Sequence, residues 1–417
     1  MRAKYHILAS IAALTAAIAA GPASAHSADA GEDVVRSKSA SSAPEAISKA
    51  ASEPSTDTGW SFKPRGRFLF DIANVTAPAA ITNNGLGFSS EARRIRLGAS
   101  GRIPGGFGYK IEADFAGGDV QLTDAFLSYK SGGLKITAGQ HNNFQSLEEL
   151  TSSNATSFVE RAAFTDAFGF ERRVGLSAQY NIGALMLQSG VFTANIEDLG
   201  SGGDNSISLD ARAVFAPQIG GAQAHFGASY HWRDLDDAVT STRYRQRPLV
   251  HSADIRFINT GSIASVKSET SYGLEAAIIT GRFHAAAETH WLKANRTGFA
   301  DPTFFGGTIE AGIYLTDDQR KYKDGAFKGV RVKNPVGKGG FGALQFIVRY
   351  DRLDLNDAGI AGGRQNGYIA SLIWAPVDNI RFLVNYGKLS YAGAVILAGT
   401  AGDYDADVFA GRFQISF

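Results

Sequence analysis

Lys63, Arg65 and Arg67 stand at alternate positions, as do Arg94, Arg96 and, further along, Arg102. In an extended chain alternate residues share a face. Two such segments paired antiparallel would gather these six cations on one patch of wall, with Lys110 on the segment that follows. Guanidinium groups stay charged and grip oxyanions through two parallel hydrogen bonds, so such a wall would attract and steer them. The same residues suit a charge ladder that braces a wall against a loop. Asp71, Glu112, Asp114 and Asp124 are available as its partners. Both readings stand, since one wall can serve both.

Other chemistries find less support. His225, His231, His284 and His290 share the polar parity of their segments, and His284 with Glu288 could meet on one face. Nucleophilic hydrolysis would need a nucleophile with its base in reach, and no Gly-x-Ser-x-Gly, His-Glu-x-x-His or phosphate-binding loop occurs. The expectation is a protein without enzymatic activity or cofactor. The chain has no Cys, hence no disulfide and no thiolate metal site. With 41 basic and 40 acidic residues it has no charge excess to recruit nucleic acid.

The positioning elements are strands. In EARRIRLGASGRIPGGFGYKIEADFA, residues 91–116, Ile95, Leu97, Ala99 and Ile103 oppose Arg94, Arg96, Ser100 and Arg102. After a Pro-Gly-Gly turn, Tyr109, Ile111, Ala113 and Phe115 oppose Lys110, Glu112 and Asp114. Ala224, Phe226, Ala228, Tyr230 and Trp232 oppose Gln223, His225, Ser229, His231 and Arg233 in the same way. Segments of about 9–14 residues, apolar on one face and charged along the other, fit a transmembrane antiparallel β-barrel of about 16 strands. A soluble two-sheet protein would rarely put so many charges on one face of such long strands. The apolar face then looks at outer-membrane lipid and the arginines look into water.

Connections fall into tight turns, such as Pro104-Gly105 and Thr280-Gly281, and longer polar links at 74–89, 141–170, 195–205, 233–265, 353–363 and 392–403. Short turns on one side and long loops on the other are expected of an outer-membrane barrel. The link 317–339 falls on the short-turn side yet is long. Phe409, Phe413, Ile415 and Phe417 make an amphipathic last strand that ends on an aromatic residue. At the other end, Arg2, Lys4, an apolar run and Ala23-Ser24-Ala25 predict a signal peptide over 1–25. Residues 26–58, poor in aromatic and branched side chains, predict a flexible periplasmic lead-in, and 59–417 the barrel.

The link 141–170 holds two capping-box patterns, Ser146 with Glu149 and Ser157 with Glu160, which predict short helices. Folded into the lumen, this loop would set the constriction with Glu148, Glu149, Glu160 and Arg161. Lying on the surface, it would not. Arg243, Arg245 and Arg247 in the 233–265 link would line up as an extracellular funnel if that piece is extended, or else form a solvated charge run.

GRFLFDIANV, the 91–116 segment, TDAFLSYK, LKITAGQ with the following SLEELTSSNATSFVERAAF, GLEAAIITGRFHAAAETHW, GGFGALQFIVRYDRLDLND, IRFLVNYGKL and FAGRFQISF together resemble the phosphate-selective porins of the O and P type. The resemblance runs from about Gly59 to Phe417. It implies a homotrimeric 16-stranded outer-membrane channel with inward-folded loops, an arginine ladder and a lysine-assisted anion site. Arg93, Arg94 and Arg96 match that family's basic second strand. After Gly139-Gln140 the chain reads His141-Asn142-Asn143-Phe144-Gln145, where the family often has Phe-Lys-x-Pro-Phe, so a loop lysine is absent there. The expected function is passive passage of small inorganic anions, phosphate first. A weakly selective diffusion porin and a non-conducting structural or adhesive barrel are the alternatives.

Overall fold

The computed structural model describes residues 59–417 apart from 84 and 201. The signal peptide and lead-in expected over 1–58 lie outside the described residues. Eight strands form the first half: β1 (Ser61–Thr76), β2 (Gly87–Ile103), β3 (Phe107–Asp114), β4 (Gln121–Ser131), β5 (Leu134–Asn142), β6 (Arg172–Ile182), β7 (Leu185–Phe192) and β8 (Ile207–Phe215). Eight more complete it: β9 (Ala222–Asp234), β10 (Val266–Thr280), β11 (Phe283–Arg296), β12 (Thr303–Tyr314), β13 (Ala343–Asp357), β14 (Ile360–Val377), β15 (Ile380–Ala392) and β16 (Tyr404–Ser416). Each pairs antiparallel with its sequence neighbours, and β1 pairs with β16 from Arg67↔Ser416 to Thr76↔Asp407, which closes the barrel. Closure leaves no strand edge unpaired, as a bilayer demands of any sheet that crosses it. The terminal Phe417 extends this seam. Its backbone N–H and C=O bond to those of Gly66, and its ring occupies the space where a side chain at 66 would stand.

The parity read from the sequence is the parity of the wall. Leu97, Ile111, Leu127, Phe226, Leu274 and Val348 are exposed on the outside, while Glu112, Asp124, Arg212, His231, Glu288 and Arg349 are buried within. One end of the barrel carries two-residue turns at 132–133, 183–184, 281–282 and 378–379. The other carries the long loops.

Two expectations need correction here. The link 353–363 is not a loop: β13 and β14 run on to a two-residue turn at Ala358 and Gly359, both with positive φ. That is the mirror-image turn whose twist matches a hairpin, so the polar residues around it belong to strands. The pattern Ser157 to Glu160 forms no helix, because Ser157 Oγ donates to Glu310 (2.7 Å) on β12 instead of capping. The helices are α1 (Leu147–Leu150) and α2 (Ala163–Ala167). Ser146 caps α1, its Oγ accepting from the Glu149 N–H (3.2 Å).

The loop between β5 and β6 lies inside the lumen. A dry cluster holds it there: Phe158, Phe164, Phe168 and Phe170 pack with Val250, Ile255, Phe257 and Ile258 of the β9–β10 loop and with Ile347, Leu353 and Leu389 of the wall. The anomalous link between β12 and β13 also enters the lumen from the short-turn end. Its hairpin, Lys321–Lys323 with Ala326–Lys328, sets Phe327 against Leu147 of α1. Its Arg320 donates to Ser157 Oγ (2.6 Å) and Ala155 O (2.8 Å). These insertions fill the side bounded by β10 to β15 and leave space beside β1 to β6.

Candidate functional site

A β-bulge shapes the site. Leu69 of β1 pairs with Arg94 and Phe70 with Ala92, so Arg93 is the extra residue on β2. A bulge breaks strict alternation, and two consecutive guanidinium groups, Arg93 and Arg94, face the lumen in place of one. Arg93 makes a bidentate pair with Glu160 of the inward loop (2.8 and 3.3 Å). Arg412 on β16 holds the same carboxylate (3.1 Å) and also Asp71 (2.6 Å through each of two nitrogens). Burial disfavours a charged Glu160, but Arg93, Arg412 and Arg94 outweigh it and hold the carboxyl well below its usual range.

Further along the wall, cations and carboxylates interleave. Arg67 meets Glu112 (3.1 Å) and Ser153 Oγ (2.8 Å), Arg96 meets Asp114 (2.7 Å), and Asp124 receives Lys110 (2.6 Å) and Arg172 (3.2 Å). Arg161 of the loop donates to Glu148 O (2.9 Å), Glu149 O (3.1 Å) and Thr151 O (2.8 Å), which locks the turn after α1. Arg94 stands apart: it forms no ion pair within 4.0 Å among the described residues, and its Nε has no partner.

Two cavities flank this point. The outer one, about 370 Å³, opens toward the long loops and is lined by Arg93, Glu160, Glu171, Arg247 and His251 among others. The inner one, about 280 Å³, includes Arg67, Lys110, Asp124 and Lys135. Arg94, Glu149, Arg161 and Arg172 line both. Three guanidiniums against one carboxylate therefore mark the place where the two meet. The outer cavity balances five arginines with five carboxylates, whereas the inner one has six cationic side chains and two carboxylates.

The sequence-selected residues separate on this map. Arg67, Arg94, Lys110, Glu149 and Arg161 reach the inner cavity, and Glu160 the outer. Arg96 is buried as a brace. Lys63, Arg65 and Arg102 are exposed at the short-turn end and line neither cavity; Arg65 Nε donates to Ser100 Oγ (2.6 Å). Glu148 sits on the far wall, paired with Arg349 (2.8 Å), and lines neither cavity. Arg243, Arg245 and Arg247 alternate with buried Tyr244 and Gln246 in an extended piece. They line a third cavity of about 420 Å³ with Arg173, Arg233 and Arg256, and Arg247 also reaches the outer cavity. In that loop Tyr244, buried and donating to Glu269 (2.6 Å), has its hydroxyl pKa raised, first by burial and then by that carboxylate.

Arg172 and Lys135 escaped the sequence reading, and Arg93 entered it only through the family resemblance. The Arg93-Arg94 doublet was visible in the sequence as an interruption of alternation, and Arg172 lay just beyond the boundary drawn for the loop. Glu288 anchors the inward loop, accepting from Ser146 Oγ (2.7 Å) and the Glu148 N–H (2.7 Å), while His284 faces Arg320 of the β12–β13 link (3.3 Å). No group of three metal-ligating side chains comes together among the described residues.

This architecture is that of outer-membrane porins. The anion-selective porin from Comamonas acidovorans superposes with a TM-score of 0.55 at 14% identity, over 86% of this chain and all of that one. The outer membrane channel DcaP of Acinetobacter baumannii gives 0.53 at 13% identity, over 86% and 98%. In sequence, a Caulobacter vibrioides protein of uncharacterized function is 48% identical over 385 residues, 90% of this chain and 78% of that relative. Porin O of Pseudomonas aeruginosa is 25% identical over 403 residues, 87% and 90%. The profile of the phosphate-selective porin O and P family matches residues 62–417, and the chain, a bacterial outer-membrane porin, belongs to that family.

Proposed function

We propose that the barrel is a passive, anion-selective channel whose solutes are phosphate and related small oxyanions, drawn down their gradient through the ring of Arg94, Arg161, Arg172 and Glu149. The observation that carries this reading is Arg94. A guanidinium already paired is largely neutralised, whereas one that makes no ion pair keeps its donors for a passing ion. The charge excess of the inner cavity continues the attraction past the ring. Arg243, Arg245 and Arg247 extend it outward as a funnel, although Asp166 and Glu171 on the same cavity temper them. In a chain without that loop lysine, the ammonium groups at the inner cavity are Lys110, paired with Asp124, and Lys135, both on the wall. In this reading residues 1–25 export the chain, 26–58 form a periplasmic lead-in, and three copies assemble in the membrane.

The balanced outer cavity favours a second reading, a weakly selective diffusion porin. Reversal potential in a planar bilayer under a KCl gradient separates the two. The proposal expects a clear anion preference and block of the KCl current by added inorganic phosphate. A potential near zero without block supports the diffusion porin, and no conductance at all supports a structural barrel.

A further inference from the structure

The inner cavity has an apolar end that an inorganic ion would not use. Along β4 the inward parity carries Asp124, then Phe126, while Leu127 faces lipid. The inside of a water-filled barrel is ordinarily polar, so a partly exposed phenyl ring on that face is the informative exception. The ring is also firmly placed. Phe126 lies edge-on to His141 (6.0 Å between centroids), which in turn contacts Phe144 (6.5 Å) and Phe192 (5.1 Å). His141 is fixed by Ser177 Oγ (2.7 Å) and Gly139 O (2.8 Å). Leu150 at the end of α1 faces the same space. Lys135 stands 5.8 Å from the Phe126 ring centre and pairs with no carboxylate within 4.0 Å among the described residues. The volume, about 280 Å³, is near the lower bound for small-molecule pockets and far more than the five heavy atoms of phosphate require.

We infer that this cavity accepts organic oxyanions, with a phosphate or carboxylate head at Arg94, Arg161 and Arg172 and an aromatic or short apolar body against Phe126 and Phe144. The inference rests on the anion-channel reading and narrows its substrate class. A preformed ring offers a stacking surface at little conformational cost, and aromatic pairs add binding beyond their buried area. Phe126 is then a specificity-determining residue, while the arginines supply attraction common to all oxyanions.

The test is block of the single-channel KCl current by phenyl phosphate and by methyl phosphate, esters with the same charged head. Phenyl phosphate is expected to block at a roughly 3- to 10-fold lower concentration. Phe126→Ala brings that ratio close to one, by weakening phenyl phosphate block far more than methyl phosphate block. Equal block by the two esters in the wild-type channel overturns the inference, as does a ratio that survives Phe126→Ala; the wild-type comparison decides even if the variant fails to assemble. If the anion preference persists while the esters block equally, only the organic class falls. If neither ester blocks and the reversal potential shows no anion preference, the anion-channel reading falls with it.

Discussion

On β11 to β15, the inward polar groups meet the loop and are used up by it. Glu288 receives Ser146 Oγ and the Glu148 N–H, Glu310 receives Ser157 Oγ, Asn385 receives the Val159 N–H (2.6 Å), and Asp351 receives the Ala163 N–H (2.9 Å). On β1 to β6, groups of the same kinds at the same parity pair mostly with one another along the wall, Arg67 with Glu112, Arg96 with Asp114 and Lys110 with Asp124, beside the open space. There cations outnumber carboxylates around the inner cavity, and Arg94 is left unpaired. An inward charge anchors the loop where a group of the loop reaches it and lines the open space where none does. Strand alternation looks the same in both cases, and the inserted loop decides which outcome each residue has.

Removing an anchor on the packed side should have the largest effect. Arg349→Ala leaves Glu148 and Glu310 buried without their shared cation, each now 2.8 Å from it. A loss of about 3–5 kcal/mol is expected, read as a lower unfolding midpoint, together with larger and noisier single-channel conductance as the loop loosens. Unchanged conductance would mean that the apolar cluster alone holds the loop.

Glu160→Gln probes the boundary between the two sides. Its carboxylate is held by Arg93 and Arg412, and charge-assisted bonds of this kind contribute about 1.5–3 kcal/mol. Because its folded pKa is depressed, this stability is fully present above the unfolded value near 4.5 and is lost as pH falls through the folded value. The difference between wild type and Glu160→Gln should therefore be nearly constant from pH 7 to 5, begin to shrink as pH falls through about 4.5, and go on shrinking until the folded carboxyl itself protonates. A difference that fades above pH 5 would contradict the pairing.

The smallest effect belongs to the exposed cations of the short-turn end. Arg65→Ala should alter stability by no more than about 0.5 kcal/mol. Any change in selectivity it causes should vanish in 1 M salt, where charges are screened over about 3 Å. A salt-resistant change would move part of the filter to that end.

Much of the wall was legible in the sequence because a barrel writes its two solvents into alternate residues. Leu97 beside Arg96 and Ile111 beside Glu112 needed only parity to be placed. What escaped depended on contacts between distant segments. The bulge that turns Arg93 inward is set by the register of β1 on β2, and parity counted through the doublet cannot place both arginines. Ser157 resembled a helix cap until Glu310, 153 residues away, competed for its hydroxyl. Six cations near one another in sequence suggested a single patch, yet the strand rise of about 3.3 Å per residue carries Lys63, Arg65 and Arg102 toward one mouth, away from Arg94. The hairpin at 321–328 had no strong signal beyond the length of its link, since its partners, Leu147 among them, belong to another insertion.

The most direct test of the account is the reversal potential of Arg94→Glu beside wild type under one KCl gradient. Arg94 holds no carboxylate, so the substitution should leave the barrel folded while equalising arginines and carboxylates at the ring. The account predicts a wild-type potential of anion-selective sign that falls to zero or changes sign in the variant. A folded, conducting Arg94→Glu channel with the wild-type potential would contradict it and return the pore arginines to bracing.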